Sequence, residues 1–377
     1  MRTRYILIFI VILCCIYLGR LRSELTSIAQ TNVSNEVVGV VGNQPQQRGK
    51  FWEFEVGNIW VQTATKPPVE LGDKVTLFGT VKTRVIRGVY RQFWLVYPRI
   101  TVEQKFEDLP LKKRVFSYPI TSAIRSLNLL RVEFYERFTL LFSSANAALV
   151  SGMVLGTKSY LPEKIEEELR ASGLIHIVVA SGGNIAIISS VALGFLQYYF
   201  SRKKSILLTF ILVLTYLFLV GFDSPLVRAT IMIGATWVAV LLGRHTPSLW
   251  ILCLTGIIML LFDPLLLFSI SFELSFAATA GIILFAESIQ QWLERIGKKV
   301  KVLPVSFIAA DASQSLAAQF LVVPLILNVF GETSVFSLVS NILVAPMVAP
   351  ITYGGILVLT TSYLWLELGQ FTAWILT

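Results

Sequence analysis

The chain has 377 residues, 55% of them hydrophobic and 15% charged, with a formal net charge of +9, and its mean hydropathy is +0.70. That balance excludes a soluble globular protein of this length and predicts a polytopic membrane protein. The positive charge does not by itself imply nucleic acid, because cytoplasmic loops of membrane proteins are basic for topological reasons.

At the N-terminus, Arg2 and Arg4 precede an apolar run from Tyr5 to Leu18, which reads as a short first membrane segment within 1–22, entered from the cytoplasm. Residues 35–106 have a different texture. Val37–Val41, Phe51–Val56, Val75–Val81 and Gln92–Val102 are β-branched and aromatic runs, separated by Asn43-Gln44-Pro45, Lys66-Pro67-Pro68, Gly72-Asp73 and Arg87-Gly88. Alternation through Lys74–Val81 predicts half-buried strands, and four or five such strands suit a small β-barrel of the OB type. Its aromatics, with Lys74 and Arg91 nearby, either fill the core or build a platform for single strands. Trp52, Lys74, Arg91 and Trp94 are the candidate contacts in the second case.

Residues 107–172 read as an amphipathic, interfacial helical region. Ile120, Ile124, Leu127, Phe134, Phe138 and Leu141 recur at helical spacing among charged residues. Pro162 followed by acidic residues then starts a short helix. It delivers the chain to Gly-Leu-Ile-His-Ile-Val-Val-Ala-Ser-Gly-Gly-Asn at Gly173–Asn184, where a hydrophobic run opens that continues to Phe200. The run exceeds the roughly 20 residues a spanning helix needs. Ser181-Gly182-Gly183-Asn184 in its middle predicts a helix broken at membrane depth, which is tolerated only where it is buried in protein or lines a watery cavity. Close helix packing is the other use of paired glycines. An intramembrane serine hydrolase is disfavoured, because a spacing of five turns Ser181 and His176 apart and Val179 stands where a nucleophile elbow needs glycine.

Within 173–377, further membrane segments are predicted at Ser205–Phe222, Ala229–Gly243, Thr246–Phe262, Leu265–Ala286 and Ala312–Gly331. The long run Thr333–Leu366 contains Pro346 and Pro350 and is predicted to be two segments or a re-entrant piece. Arg202-Lys203-Lys204, Arg244 and the cluster Arg295–Lys301 mark alternate loops as cytoplasmic, which puts the β domain outside. Polar residues at membrane depth are Arg228, Glu273, Asp311, Gln314, Gln319 and Asn341. Arg228 either snorkels or pairs with Asp223, or it faces phosphate. Glu273 is structural, with Arg228 as its expected partner, or holds a cation. With two histidines, His176 and His245, no clustered-histidine metal centre can be assembled. Cys14, Cys15 and Cys253 lie in apolar segments and form no disulfide framework.

The ordered set of pieces resembles the ComEC-type DNA-internalisation family. Its carriers are the stretch Ala171–Asn184, Leu155-Gly156, Ser224-Pro225-x-x-Arg228-Ala229, Asp263-Pro264 and Phe272-x-Leu274-Ser275-Phe276. Gln319 with Pro324, Phe330-Gly331 and Asn341 with Pro346 complete the set. The resemblance implies an inner-membrane channel of bacteria that passes single-stranded DNA into the cytoplasm, with an extracytoplasmic OB-like domain that helps bind it. His176, Ser181, Gly182, Gly183, Asn184 and Arg228 would be on the path. Expected partners are the lipid bilayer, a cytoplasmic helicase-like ATPase, an external DNA receptor and a separate nuclease. No catalytic residue, cofactor or metal is expected.

Two positions depart from the family pattern: Asn184 replaces a histidine, and Glu273 a glutamine. Long members end in a metallo-β-lactamase-like domain for which this sequence has neither the length nor the histidines, so either a short form or a truncated chain is expected. The alternatives are a transporter of another anionic solute and a membrane-anchored OB-domain interaction protein.

Overall fold

The computed structural model describes residues 17–18, 36–48, 51–57, 59–86, 90–109, 119–156, 161–178, 182–300, 305–330 and 337–376. The chain divides into two compact units, residues 1–130 with 260–268 and residues 131–259 with 269–377.

The first unit carries two sheets. One has strands β1 (Glu36–Val40), β5 (Lys74–Phe78) and β8 (Arg99–Gln104) in the order β1-β5-β8. The other orders β2 (Gln46–Arg48), β3 (Phe51–Val56), β4 (Ile59–Thr63), β7 (Tyr90–Val96) and β6 (Val81–Ile86) as β2-β3-β4-β7-β6. All ladders are antiparallel except β4 with β7. A bridge between Val41 and Val56 links the sheets. Among the described residues no ladder closes the two sheets into a ring. Period-two burial drives the packing: Ile59, Val61 and Thr63 turn in while Trp60 and Gln62 turn out. Phe54, Val61, Val75, Leu77 and Leu95, each 0% exposed, form the centre of the core. Full burial of such side chains stabilises by about 1.5–3 kcal/mol each. Strand β4 escaped the sequence reading because a turn at Gly57, φ 60°, separates it from β3 by two residues.

Helix α1 (Pro119–Leu141) begins in this unit and is clamped there by Arg125. Arg125 as a whole is 8% exposed. It reaches Glu70 at 2.6 Å, Glu107 at 2.9 Å and Asp73 at 3.4 Å, and donates to the Leu71 carbonyl at 3.2 Å. Asp73 in turn accepts from the Phe106 and Glu70 backbone N–H groups at 2.8 and 2.9 Å. A cation with several carboxylate partners and backbone bonds can be buried without a net penalty.

The second unit is helical: α2 (Ser144–Leu155), α3 (Glu163–Ser172), α4 (Ile175–Val178), α5 (Gly182–Tyr199), α6 (Arg202–Val220), α7 (Ser224–Leu241), α8 (Ser248–Phe262), α9 (Ile270–Val300), α10 (Val305–Phe330), α11 (Ser337–Leu364) and α12 (Leu366–Leu376). Among the described residues five stretches are long and apolar enough to cross a membrane: Arg202–Val220, Ser224–Leu241, Ile270–Ile296, Ala309–Val329 and Val339–Leu364. The protein is a polytopic α-helical membrane protein with an N-terminal β region.

One expectation is corrected. Pro346 and Pro350 do not split the run into two segments; both lie inside the continuous helix α11. Proline removes a backbone donor, but neighbouring helices make this tolerable in membrane helices. Within the stretch read as interfacial, α2 is buried from Ala147 to Leu155 apart from a half-buried Leu149. At 12 residues α2 is about 18 Å long, too short to span.

Candidate functional site in the helical unit

Helix α4 is described to Val178 and α5 from Gly182; residues 179–181, Ser181 among them, on which the predicted break falls, lie outside the described residues. Both flanks are anchored on the end of α2. On one side Val178 packs in a cluster with Ala148 and Met153. On the other, Asn184, 0% exposed, donates from Nδ2 to the Met153 carbonyl at 2.7 Å. The last carbonyls of a helix lack intrahelical donors, and those of Gly152, Met153 and Val154 in α2 each find one. Gly156, left-handed at φ 71°, donates its N–H to Gly152. Asn184 serves Met153, and the Tyr216 hydroxyl on α6 donates to Val154 at 3.1 Å. Asn184 is thus a buried cap, and its Oδ1 has no hydrogen-bond partner among the described residues.

Gly182, the first residue of α5, meets the start of α7. A methyl group in place of its hydrogen would lie 3.0 Å from Arg228 Nη2, 3.1 Å from the Pro225 carbonyl oxygen and 3.2 Å from the Ala229 Cβ. Here glycine provides close approach, the second of the two uses the sequence leaves open. Helix α7 starts cleanly because Pro225 sits in its first turn, where a missing N–H costs nothing, and the Asp223 carbonyl accepts from Leu226 and Val227. One turn on, Arg228 is half-buried and donates from Nη1 to the carbonyl of Ser275 in α9.

No carboxylate pairs with Arg228 among the described residues. Of the expected partners, Asp223 is exposed and Glu273 is half-buried in the first turn of α9. Arg228 Nε, Ser224 Oγ and Ser275 Oγ are buried and have no partner among the described residues. Gly182 at the start of α5 and the second turns of α7 and α9 therefore meet around one cation that keeps an unused donor. A guanidinium with an unused donor is suited to an anionic group.

The other sequence-derived residues are dispersed. His176 is exposed on α4 and Gly183 is exposed beside Gly182. Gln314 is exposed and Gln319 half-buried on α10, while Asn341 on α11 is buried with its Oδ1 unpaired among the described residues. In the β unit the four candidates do not share a face. Trp52 is in phase with the core residues Phe54 and Val56, and Lys66 stands over its ring at 5.9 Å. Trp94 points out of the same sheet. Lys74 is on the other sheet, paired with Glu103 at 2.6 Å. Arg91 pairs with Val85 in the β6–β7 hairpin, and its side chain lies outside the described residues. Sequence reasoning missed the Ser275 carbonyl and the Tyr216 cap, both of which are long-range contacts.

Residues 153–377, which contain this whole junction, match the family model for the Competence protein. The chain belongs to the competence protein family. Its relatives include ComE operon protein 3 of Bacillus subtilis, 26% identical over 222 residues, covering 58% of this chain and 27% of that protein. An uncharacterized protein of Aquifex aeolicus is 30% identical over 213 residues, covering 55% and 46% of the two chains. The uncharacterized protein YcaI of Escherichia coli is 26% identical over 215 residues, covering 54% and 28%. This competence-family chain thus aligns with less than half the length of each of these relatives.

Proposed function

We propose that this competence-family protein takes part in DNA uptake as an inner-membrane channel, passing one DNA strand into the cytoplasm through the helical unit. Family membership supports the process, and the Arg228 junction supports the ligand. A half-buried guanidinium with an unused Nε donor and no carboxylate partner among the described residues suits successive phosphates of arbitrary sequence. No chemical step is assigned to these residues. Strand movement and strand degradation fall to separate proteins, a cytoplasmic helicase-like ATPase and a nuclease, and delivery to an external DNA receptor. The basic ends of α6, α7 and α9 face the cytoplasm on the positive-inside rule, and the β unit lies outside.

The test is deletion of the gene in a naturally competent host without a paralogue, followed by fluorescent double-stranded DNA. Label held outside the inner membrane with no transformants is the expected result. Parental numbers of transformants would remove DNA uptake and favour transport of another anionic solute.

A further inference from the structure

Two serines at the Arg228 junction have no part in the fold's hydrogen bonding. Among the described residues seven buried side-chain polar atoms lack a partner, and three of them, Arg228 Nε, Ser224 Oγ and Ser275 Oγ, belong to this one place. Ser224 and Ser275 are 9% and 8% exposed. Ser224 opens α7 four residues before Arg228, which puts both on one face of that helix. Ser275 lies on α9, and its own carbonyl accepts from Arg228 Nη1. Buried helical hydroxyls commonly bond back to the carbonyl one turn earlier, as Thr230 does to Leu226 and Thr255 to Ile251. Ser275 has the Ser271 carbonyl one turn back and leaves it.

An acceptor between the three atoms is what they lack. The Nε–H can only donate, and a hydroxyl within reach would accept from it; neither serine does. A single water accepts two hydrogen bonds and carries no charge, whereas an oxyanion accepts from all three groups and offsets the guanidinium. The bond Arg228 already makes is an exchangeable one. The Ser275 carbonyl also accepts from the Thr279 N–H along α9 and from the Thr279 hydroxyl at 3.0 Å. Three donors share two lone pairs, so the guanidinium is the one that leaves for a charged acceptor.

We propose that Ser224 and Ser275 join Arg228 as the donors of a seat for one tetrahedral oxyanion, and that a bound oxyanion draws the guanidinium from the Ser275 carbonyl. Two unesterified oxygens suffice to accept from Nε and both hydroxyls, so a phosphodiester fits as well as free phosphate. The identification of that oxyanion as a DNA phosphate rests on the DNA-uptake reading.

The experiment uses the full chain in a maltoside detergent, which carries no phosphate, and measures radiolabelled inorganic phosphate binding at constant ionic strength in chloride, with thermal unfolding alongside. The parent is expected to bind one phosphate per chain. Ser224→Ala and Ser275→Ala should each weaken binding about tenfold with the melting temperature unchanged, because neither hydroxyl makes a bond in the fold. Thr279→Val relieves the crowded carbonyl, holds the guanidinium there more firmly and should weaken binding about threefold. A parent that binds no phosphate, or serine variants that bind like the parent or lose melting temperature together with phosphate, would overturn the seat. Parental affinity in Thr279→Val would overturn the exchange.

Competition and transformation identify the ligand. Oligo-dT with phosphodiester linkages should displace the labelled phosphate and its uncharged methylphosphonate counterpart should not; displacement by neither assigns the seat to a free oxyanion and overturns a DNA phosphate as its ligand. Transformation that requires the gene, with a chain that binds no phosphate, leaves the channel standing and overturns the seat. Phosphate binding through the two serines, in a host whose transformation is indifferent to the gene, supports the seat and removes the channel.

Discussion

Asn184 is the residue at which a structural and a path-lining role are most sharply opposed. It is fully buried and gives its amide to the Met153 carbonyl at 2.7 Å. Asn184→Ala would strand a buried carbonyl at the end of α2, a cost of about 1–2 kcal/mol when hydrogen bonds in membrane proteins are taken at their measured strength. Tyr216→Phe removes the bond to Val154, the next carbonyl, at similar cost. For a unit of this size each change lowers the apparent melting temperature by roughly 2–8 °C. The Asn184 amide also faces the Tyr216 hydroxyl, so the double variant deviates from additivity by about 0.5 kcal/mol or more. Thermal unfolding of the purified chain in detergent measures all three. Transformation should fall only in proportion to folded protein in the membrane. Unchanged stability in Asn184→Ala with collapsed uptake would refute the capping role and return Asn184 to the path.

Arg125→Ala leaves Asp73, Glu70 and Glu107 around an empty position. It should destabilise the β unit by about 3–5 kcal/mol, seen as early loss of the β-unit tryptophan signal on urea titration. In α9, a side chain at Gly281 would collide with the Ala317 carbonyl oxygen. Gly281→Val should force α9 from α10 and cut the yield of folded protein on size-exclusion chromatography, while the same change at Gly194, where a Cβ meets nothing, should not. The hydrogen bonds from Lys74 and Thr76 hold the exposed Glu103 carboxyl below its usual range. Its contribution is present above the unfolded carboxylate value and fades as pH falls through the lower folded value. Glu103→Gln should therefore lower thermal stability slightly at neutral pH, leave it unchanged below the folded value, and so flatten the acid limb.

Period-two runs and turn residues made β1, β3 and β5 legible in the sequence, and charge spacing made the alternation of membrane segments legible. What stayed hidden depended on partners far along the chain. Trp52 and Trp94 look equivalent as isolated aromatics, yet strand phase sends one toward the core and the other outward. Arg125 reads as an interruption of an apolar face and is instead the centre of an ion cluster more than fifty residues away in part. Arg228 is conspicuous at membrane depth, but its bond goes to the backbone of Ser275, an acceptor that carries no residue signature. Pro346 and Pro350 signal a break in isolation, and surrounding helices override them.

The most direct test of the channel is Arg228→Ala in competent cells, with Arg228→Lys as its conservative companion and membrane levels matched. Transformants should fall about tenfold or more in Arg228→Ala, with fluorescent DNA retained outside the inner membrane and partial recovery in Arg228→Lys. Parental transformation by Arg228→Ala at equal protein level would contradict a strand path through this junction.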